Sequence, residues 1–279
     1  MQKNRVWFIT GCSSGFGKLF CEQLLESGER VVATARKPET LESLKSLAKS
    51  KDQLLIQPLD VTSRAQIDAS VKAAIQHFGR IDVLVNNAGY GAMGALEEIP
   101  ENVIRENFET NVFGLIEMTR AVLPQMRSQK YGHIIMLSSV AGMAALPGAG
   151  IYSATKFAVE GLSEGLAAEV APFGIKVTLL EPGAFRTDFA GRSLLVAKYM
   201  PEYAESLANT RKYYETIGGT QPGDPLKLVN AVLQVVDSPN PPLRLVLGKI
   251  AFQRVMKKLD QYNTELTTWK NLTDNTDFT

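Results

Sequence analysis

Tyr152 and Lys156 stand four residues apart, and Ser139 lies thirteen residues upstream of the tyrosine, at the end of Ile134-Ile-Met-Leu-Ser-Ser139. A spacing of four puts the phenol and the ammonium on one face of a helix, about one turn apart. A free phenol, with a pKa near ~10, is a poor acid or base at neutral pH. A fixed positive charge nearby favours the phenolate, so Lys156 is expected to lower the Tyr152 pKa towards the working range. The Ser139 hydroxyl, at a strand end, could then hold a substrate oxygen while Tyr152 gives or takes the proton. A Y-x-x-x-K pair also arises on ordinary solvated helix faces, so the surrounding elements decide its meaning.

The N-terminal segment supplies the second half of the chemistry. Val6-Trp-Phe-Ile9 is apolar, β-branched and aromatic, and reads as a buried strand. It runs into Thr10-Gly-Cys-Ser-Ser-Gly-Phe-Gly17, after which Leu19, Phe20, Leu24 and Leu25 recur at helical spacing. Strand, glycine-rich turn and helix in this order open a dinucleotide-binding βαβ unit. Gly11 permits the tight turn, Gly15 lets backbone approach a pyrophosphate, and Gly17 allows close helix–strand packing. The pyrophosphate is expected at the helix N-terminus, where unpaired N–H groups and the dipole favour an anion. A turn that merely uses glycine is the plain alternative.

The end of the second strand, Arg30–Ala35, bears on cofactor choice. A site for NAD usually places an acid there to accept from the adenine ribose. Here the strand ends on Ala35, followed by Arg36 and Lys37. A carboxylate would repel a 2′-phosphate, whereas a guanidinium binds it bidentately. The reading is NADP(H) in preference to NAD(H), with Arg36 on the phosphate; a solvated surface arginine is the alternative.

These motifs sit in an alternating chain. Further strands are predicted at Leu54–Leu59, Val83–Asn86, His133–Ser138, Lys176–Glu181 and Leu243–Leu247. Helices are predicted at Leu41–Lys49, Ser63–Phe78, Pro100–Arg127, Ala154–Ala171 and Leu226–Val236. Strands rich in Val, Ile and Leu, separated by helices, imply an α/β protein with a parallel sheet covered on both faces. No repeat or linker marks a boundary, so residues 1–279 are read as one domain. Residues 184–224 form a substrate-loop or lid insertion, and residues 249–279 a C-terminal helical extension.

Composition limits the function classes. Hydrophobic residues make up 45% of the 279, enough for a large core, and the net charge of +1 gives no reason to expect nucleic acid or an anionic membrane. No apolar stretch approaches the ~20 residues of a membrane span. The N-terminus leads directly into the first strand, leaving no room for a signal peptide. With only Cys12 and Cys21, a reduced, cytoplasmic protein is expected. No clustered His, Asp or Glu points to a metal, and neither His77 nor His133 is given a catalytic role.

Taken in order, Thr10-Gly-x-x-x-Gly-x-Gly17, Asp60-Val61, Asn86-Asn87-Ala88-Gly89, Asn111, Ser139, Tyr152-x-x-x-Lys156 and Pro182-Gly183 resemble the motifs of the classical short-chain dehydrogenases/reductases. The resemblance covers roughly residues 5 to 250. Cys12-Ser-Ser-Gly-Phe-Gly17, the Ala33-Thr-Ala-Arg36 strand end and the C-terminal extension look most like the hydroxysteroid and retinol dehydrogenase branch. It implies a Rossmann-type, doubly wound parallel sheet of seven strands with helices on both faces. It also implies that Ser13, Ser14 and Phe16 join Gly11, Gly15 and Gly17 around the cofactor. Asp60 and Val61 would meet the adenine, although Asp60 could equally cap the helix that starts near Thr62-Ser63. Asn87, Ala88 and Gly89 would let backbone lie against the adenosine, and Pro182, Gly183 and Thr187 would reach the nicotinamide. Asn111, a mediocre helix former, would bend its helix and hold a water linking Lys156 to solvent; a buried asparagine satisfied by backbone is the alternative.

The expected activity is reversible hydride transfer between nicotinamide and a carbonyl or carbinol carbon. Ser139 would hold the substrate oxygen, Tyr152 would deliver the proton, Lys156 would anchor the ribose, and Asn111 would support the proton path. Walls from residues 90–96, 143–147 and the aromatic-rich stretch after Pro182 suit a small or medium-sized apolar alcohol, ketone or aldehyde, steroid- or retinoid-like. A homodimer or homotetramer is expected. The competing class is a catalytically silent NADP(H)-binding sensor or scaffold, which would have no reason to keep all four catalytic positions.

Overall fold

In the computed structural model, which describes residues 4–278, the alternating segments become nine strands and nine α-helices. The strands are β1 (Val6–Ile9), β2 (Arg30–Ala35), β3 (Leu54–Pro58), β4 (Val83–Asn86), β5 (Gly91–Met93), β6 (Gly132–Leu137), β7 (Ile175–Pro182), β8 (Leu194–Val196) and β9 (Arg244–Leu247). The helices are α1 (Gly15–Ser27), α2 (Arg64–Phe78), α3 (Glu101–Phe108), α4 (Gly114–Gln129), α5 (Gly150–Val170), α6 (Ala204–Thr216), α7 (Pro225–Asp237), α8 (Lys249–Thr268) and α9 (Lys270–Asp274). Seven strands pair in parallel in the order β3-β2-β1-β4-β6-β7-β9. Strand order reverses between β1 and β4, which places the ligand crevice beyond their C-terminal ends.

Successive residues of a strand face opposite sides, so both sides of this sheet must be apolar. Phe8, Leu84, Ile134, Met136 and Leu179 point to one side and pack under α2, α4 and α5, through Ile67, Met118, Val122 and Val159. Trp7, Ile9, Val83, Ile135 and Leu180 point to the other, under α1 and α7, through Phe20, Leu24, Val229 and Val232. The predicted Rossmann-type, doubly wound α/β domain is therefore what forms. Truncating a side chain such as Leu24 to alanine would cost roughly 2–5 kcal/mol.

Two expectations change, and a third segment gains detail. The helix expected over residues 41–49 is a 3₁₀ segment, Pro38–Ser46, with Leu41 and Leu44 inward. The continuous helix expected over residues 100–127 is divided into α3 and α4 by a π-helical turn, Glu109–Phe113. Residues 184–224 contain β8 and α6, and β8 pairs in parallel with β5 as a small second sheet beside the main one.

Candidate active site

Ser139, Tyr152 and Lys156 come together where β6 ends and α5 begins its first turns. Ser139 starts a short turn, and its Oγ accepts the Ala141 N–H at 3.1 Å. The buried Lys156 Nζ donates to the Leu137 carbonyl at 2.7 Å and lies 5.7 Å from the Tyr152 ring centre. The Tyr152 ring also rests against Phe189, with 5.5 Å between centroids. A helix and a strand end thus hold three proton-handling groups within one small volume.

Electrostatics here run against one expectation. Burial pushes the Tyr152 phenol above its ordinary value, and the Ser139 hydroxyl only partly opposes the rise. Burial also pulls the Lys156 ammonium down to about 8, with Glu160 one turn away acting in the opposite sense. Lys156 therefore does not depress Tyr152, whose shift is set by burial. The reason is local: the lysine spends its short hydrogen bond on a backbone carbonyl and faces the ring, while the phenol has lost water.

Asn111 lies in the π-helical turn, where its Oδ1 accepts the Tyr90 N–H at 3.0 Å. Its Nδ2 donates to the Tyr90 carbonyl at 2.9 Å and to Thr155 Oγ1 at 3.2 Å. π-turns inside helices are rare and cluster at functional sites. Asn107, one turn earlier and also buried, donates to the same Tyr90 carbonyl at 2.9 Å. Sequence reasoning missed Asn107; two asparagines four apart on one helix face were the available signal.

The cofactor-binding positions form a cradle at the strand-order reversal. Thr10 Oγ1 accepts the N–H groups of Asn87 and Ala88, both at 3.0 Å, tying the glycine turn to the end of β4. Asn87 Nδ2 returns bonds to the carbonyls of Thr10 and Gly11 at 2.8 and 3.0 Å. Gly11 and Gly15 have φ of +72° and +56°, and a Cβ at Gly17 would strike the Gly11 carbonyl and sit 2.6 Å from Asn87 Nδ2. No side chain caps the start of α1 at Ser14, so its first-turn N–H groups stay free for an anion. Thr187 stands across the cleft from Gly15, and Phe16 meets Phe185 edge to face at 5.7 Å. Gly183 is fixed by its N–H to the Leu247 carbonyl at 2.9 Å, directly after Pro182. Gly11 and Gly17, with no room for a side chain, and the uncapped helix donors fit a nicotinamide dinucleotide.

The remaining positions are placed as follows. Ser13 and Arg36 are exposed at the rim, Arg36 directly after β2. Asp60 Oδ1 accepts from the N–H and hydroxyl of Thr62 at 2.9 and 2.7 Å and does not cap α2, whose N-cap is Ser63 with no side-chain cap. Val61 is buried against Gly114 at the start of α4. Gly89 faces Asn111, where an added Cβ would lie 2.9 Å from Oδ1. His133 is buried on Thr178 and held near about 3 by burial, well away from the proton-handling groups. A cavity of about 370 Å³ lies between the loop after β5 and the start of α5, lined by Gly94, Ala95, Leu96, Leu146, Pro147 and Ile151 among others. Two of the expected substrate walls therefore share one cavity.

Residues 5–194 match the model of the short chain dehydrogenase family. The chain belongs to this family. It is 40% identical to oxidoreductase BOA17 of Botryotinia fuckeliana over 268 residues, covering 96% of this chain and 97% of that one. It is 40% identical to a 3-ketodihydrosphingosine reductase of Bacteroides thetaiotaomicron, covering 88% of each. Human retinol dehydrogenase 8 is 37% identical, over 86% of this chain and 80% of its own. Among solved structures, a short-chain dehydrogenase from Streptomyces avermitilis superposes over the whole of both chains with a TM-score of 0.92 at 42% identity. Short-chain dehydrogenases of this fold bind nicotinamide cofactors of both kinds. A Burkholderia phymatum neighbour (26% identity, TM-score 0.82, 94% and 95% covered) holds NAD. A Thermococcus sibiricus alcohol dehydrogenase (26%, 0.72, 88% and 96%) holds 5-hydroxy-NADP. As a family member the chain is an oxidoreductase of the kind that acts on CH–OH groups.

Proposed function

We propose that the protein is an NADP(H)-dependent oxidoreductase acting on the carbonyl or alcohol carbon of a medium-sized apolar substrate, with Tyr152 as general acid and base. The observation that carries this reading is the meeting of Ser139, Tyr152 and Lys156 beside a glycine turn whose Gly11 and Gly17 leave no room for a side chain. Bound nicotinamide supplies or takes up the hydride. The chain's own residues handle the proton and the orientation. In the reductive direction the Ser139 hydroxyl donates to the carbonyl oxygen, and the Tyr152 hydroxyl transfers its proton to that oxygen as the alcohol forms. A phenol held above its ordinary pKa stays protonated, ready to act as acid in the reductive direction. Lys156, which donates to the Leu137 carbonyl, would turn its ammonium to a ribose hydroxyl of the bound cofactor. Asn111 links this group to the wall at Tyr90.

Arg36, with no acid at the end of β2, supports NADP(H) over NAD(H). The apolar cavity, with Phe189 against Tyr152, suits a ketone, aldehyde, retinoid or steroid. The relatives named for 3-ketodihydrosphingosine and retinol point to the same polarity. No helix among the described residues is long and apolar enough to cross a membrane. We place the protein in the cytoplasm as a homodimer or homotetramer. The test is absorbance at 340 nm with NADPH or NADH against a panel of ketones, aldehydes and quinones. NADPH oxidation with an apolar carbonyl supports the reading, and its absence across the panel with a folded, NADPH-binding protein favours a silent sensor.

A further inference from the structure

We propose that Arg254, with Lys258 one turn further along α8, binds a carboxylate at the far end of the substrate, so that the enzyme selects apolar carbonyl compounds carrying an anionic end. The proposal rests on the oxidoreductase reading above and narrows its substrate class. Helix α8 turns one face to the body of the protein. Ala251 and Val255 on that face are buried, and Arg254 and Lys258 are half-buried. Spacings of three and four set these four residues on one stripe.

The stripe forms a wall beside the active site. Ala251 and Val255 pack with Val140 and Met143, in the turn that Ser139 opens. On the other side, a Cβ added at Gly183 would lie 3.0 Å from the Ala251 Cβ. Helix α8 is thus wedged between the strand end that carries Ser139 and the Pro182-Gly183 turn. From this wall the Arg254 guanidinium donates one N–H to the Ala144 carbonyl, a few residues beyond Ser139. Among the described residues it has no other hydrogen-bond partner, and neither Arg254 nor Lys258 forms an ion pair. Arg5, Arg211 and Arg244, buried to a similar degree, each pair with at least one carboxylate. A half-buried cation without a counter-ion is costly unless a ligand supplies one.

Tyr214 of α6 links this cation to the reacting centre. Burial raises the Tyr214 phenol, Tyr213 adds to the rise, and the Arg254 guanidinium opposes it. Tyr214 in turn adds to the burial that holds the Tyr152 phenol up. The proton-transfer group and the unpaired cation therefore share a neighbour. A carboxylate suits the position, because its two oxygens match the fork of a guanidinium, and Lys258 adds a second positive charge. A substrate with its carbonyl at Tyr152 and its carboxylate at Arg254 would be fixed at both ends.

Two readouts test this. Calorimetric titration of the NADPH-bound protein with decanoate and with decan-1-ol compares equal chains that offer no carbonyl to reduce, so it does not depend on turnover. Wild type should bind decanoate the tighter by about 10-fold or more. Arg254→Gln keeps an N–H for the Ala144 carbonyl but removes the charge, and should erase that preference; Arg254→Lys should retain part of it. Lys258→Gln, which breaks no bond within the protein, should lower it about 2- to 5-fold. In turnover, the ratio of kcat/KM for ω-oxo carboxylic acids to that for their methyl esters should fall roughly 10- to 100-fold in Arg254→Gln, mainly through KM. Equal binding of decanoate and decan-1-ol by wild type would overturn the proposal. So would Arg254→Gln weakening both equally, which would make Arg254 a tether of α8 alone. Carboxylate-selective binding that depends on Arg254, without turnover of any aldehyde, would uphold this site and overturn the oxidoreductase reading instead.

Discussion

Asn111 grips both backbone groups of Tyr90, accepting from its N–H at 3.0 Å and donating to its carbonyl at 2.9 Å. A side-chain amide thereby does for Tyr90 what a neighbouring strand would do. It fixes the loop after β4 to the π-helical turn, next to Gly89 and the Lys156 ammonium. Asn111→Ala leaves the part-buried Tyr90 N–H without this partner and its carbonyl with Asn107 alone. Stability should fall by about 1–3 kcal/mol by urea denaturation, and turnover should fall with it. A change within about 0.5 kcal/mol, as at an indifferent site, would show that Tyr90 is held by other means.

Lys156 gives a pH signature. Its folded-state value, about 8, lies below its ordinary 10.5, because burial disfavours the charged form. Between these two values the unfolded chain binds the extra proton, so this group's contribution to stability rises with pH across that window. Below about 8 both states are protonated, and the burial cost is constant. Against Lys156→Met, in which other titrations cancel, the wild type should gain roughly 3 kcal/mol between pH 8 and 10.5. A flat difference would mean that the ammonium is well solvated.

Arg36→Ala should weaken NADPH by roughly ten- to a hundred-fold, from the loss of a charge-assisted contact of ~1.5–3 kcal/mol. NADH should be nearly unaffected. Titration of cofactor fluorescence checks both. Equal losses, or a wild-type preference for NADH, would remove the assignment.

The segment after Pro182 is pinned more firmly than a free lid. Strand β8 is laid on β5, and buried Glu98 accepts the Met200 N–H at 2.7 Å while pairing with Arg211 of α6. Helix α6 itself buries only Leu207. In hydrogen exchange, residues 204–216 should exchange fast without ligands and slow once cofactor and substrate are bound. Glu98→Ala should make them exchange faster still, with β6 unchanged. If α6 is as protected as β6 from the outset, it is a fixed wall.

What was legible in the sequence was whatever repeats along the chain. The apolar runs of β1, β2, β4 and β6 and the glycines between β1 and α1 have local spacing, and so does the Tyr152–Lys156 pair on α5. Contacts between distant segments were not legible. Three-residue strands at 91–93 and 194–196 carry no periodicity that a reader could separate from loop. The π-turn at Asn111 depends on the Tyr90 backbone twenty-one residues away. The direction of the Tyr152 shift was misjudged for a related reason. Spacing places Lys156 near the ring, but only the fold shows the phenol desolvated and the lysine turned to the Leu137 carbonyl.

Tyr152→Phe tests the central claim most directly, because it keeps the ring against Phe189 and removes only the hydroxyl. General acid catalysis is worth roughly 10²–10⁴-fold. With a carbonyl substrate identified from the panel, NADPH oxidation at saturation should fall at least 100-fold, while NADPH affinity by fluorescence titration stays within about twofold. Turnover retained near the wild-type rate, with cofactor binding intact, would show that the proton reaches the substrate from another group and would contradict the account.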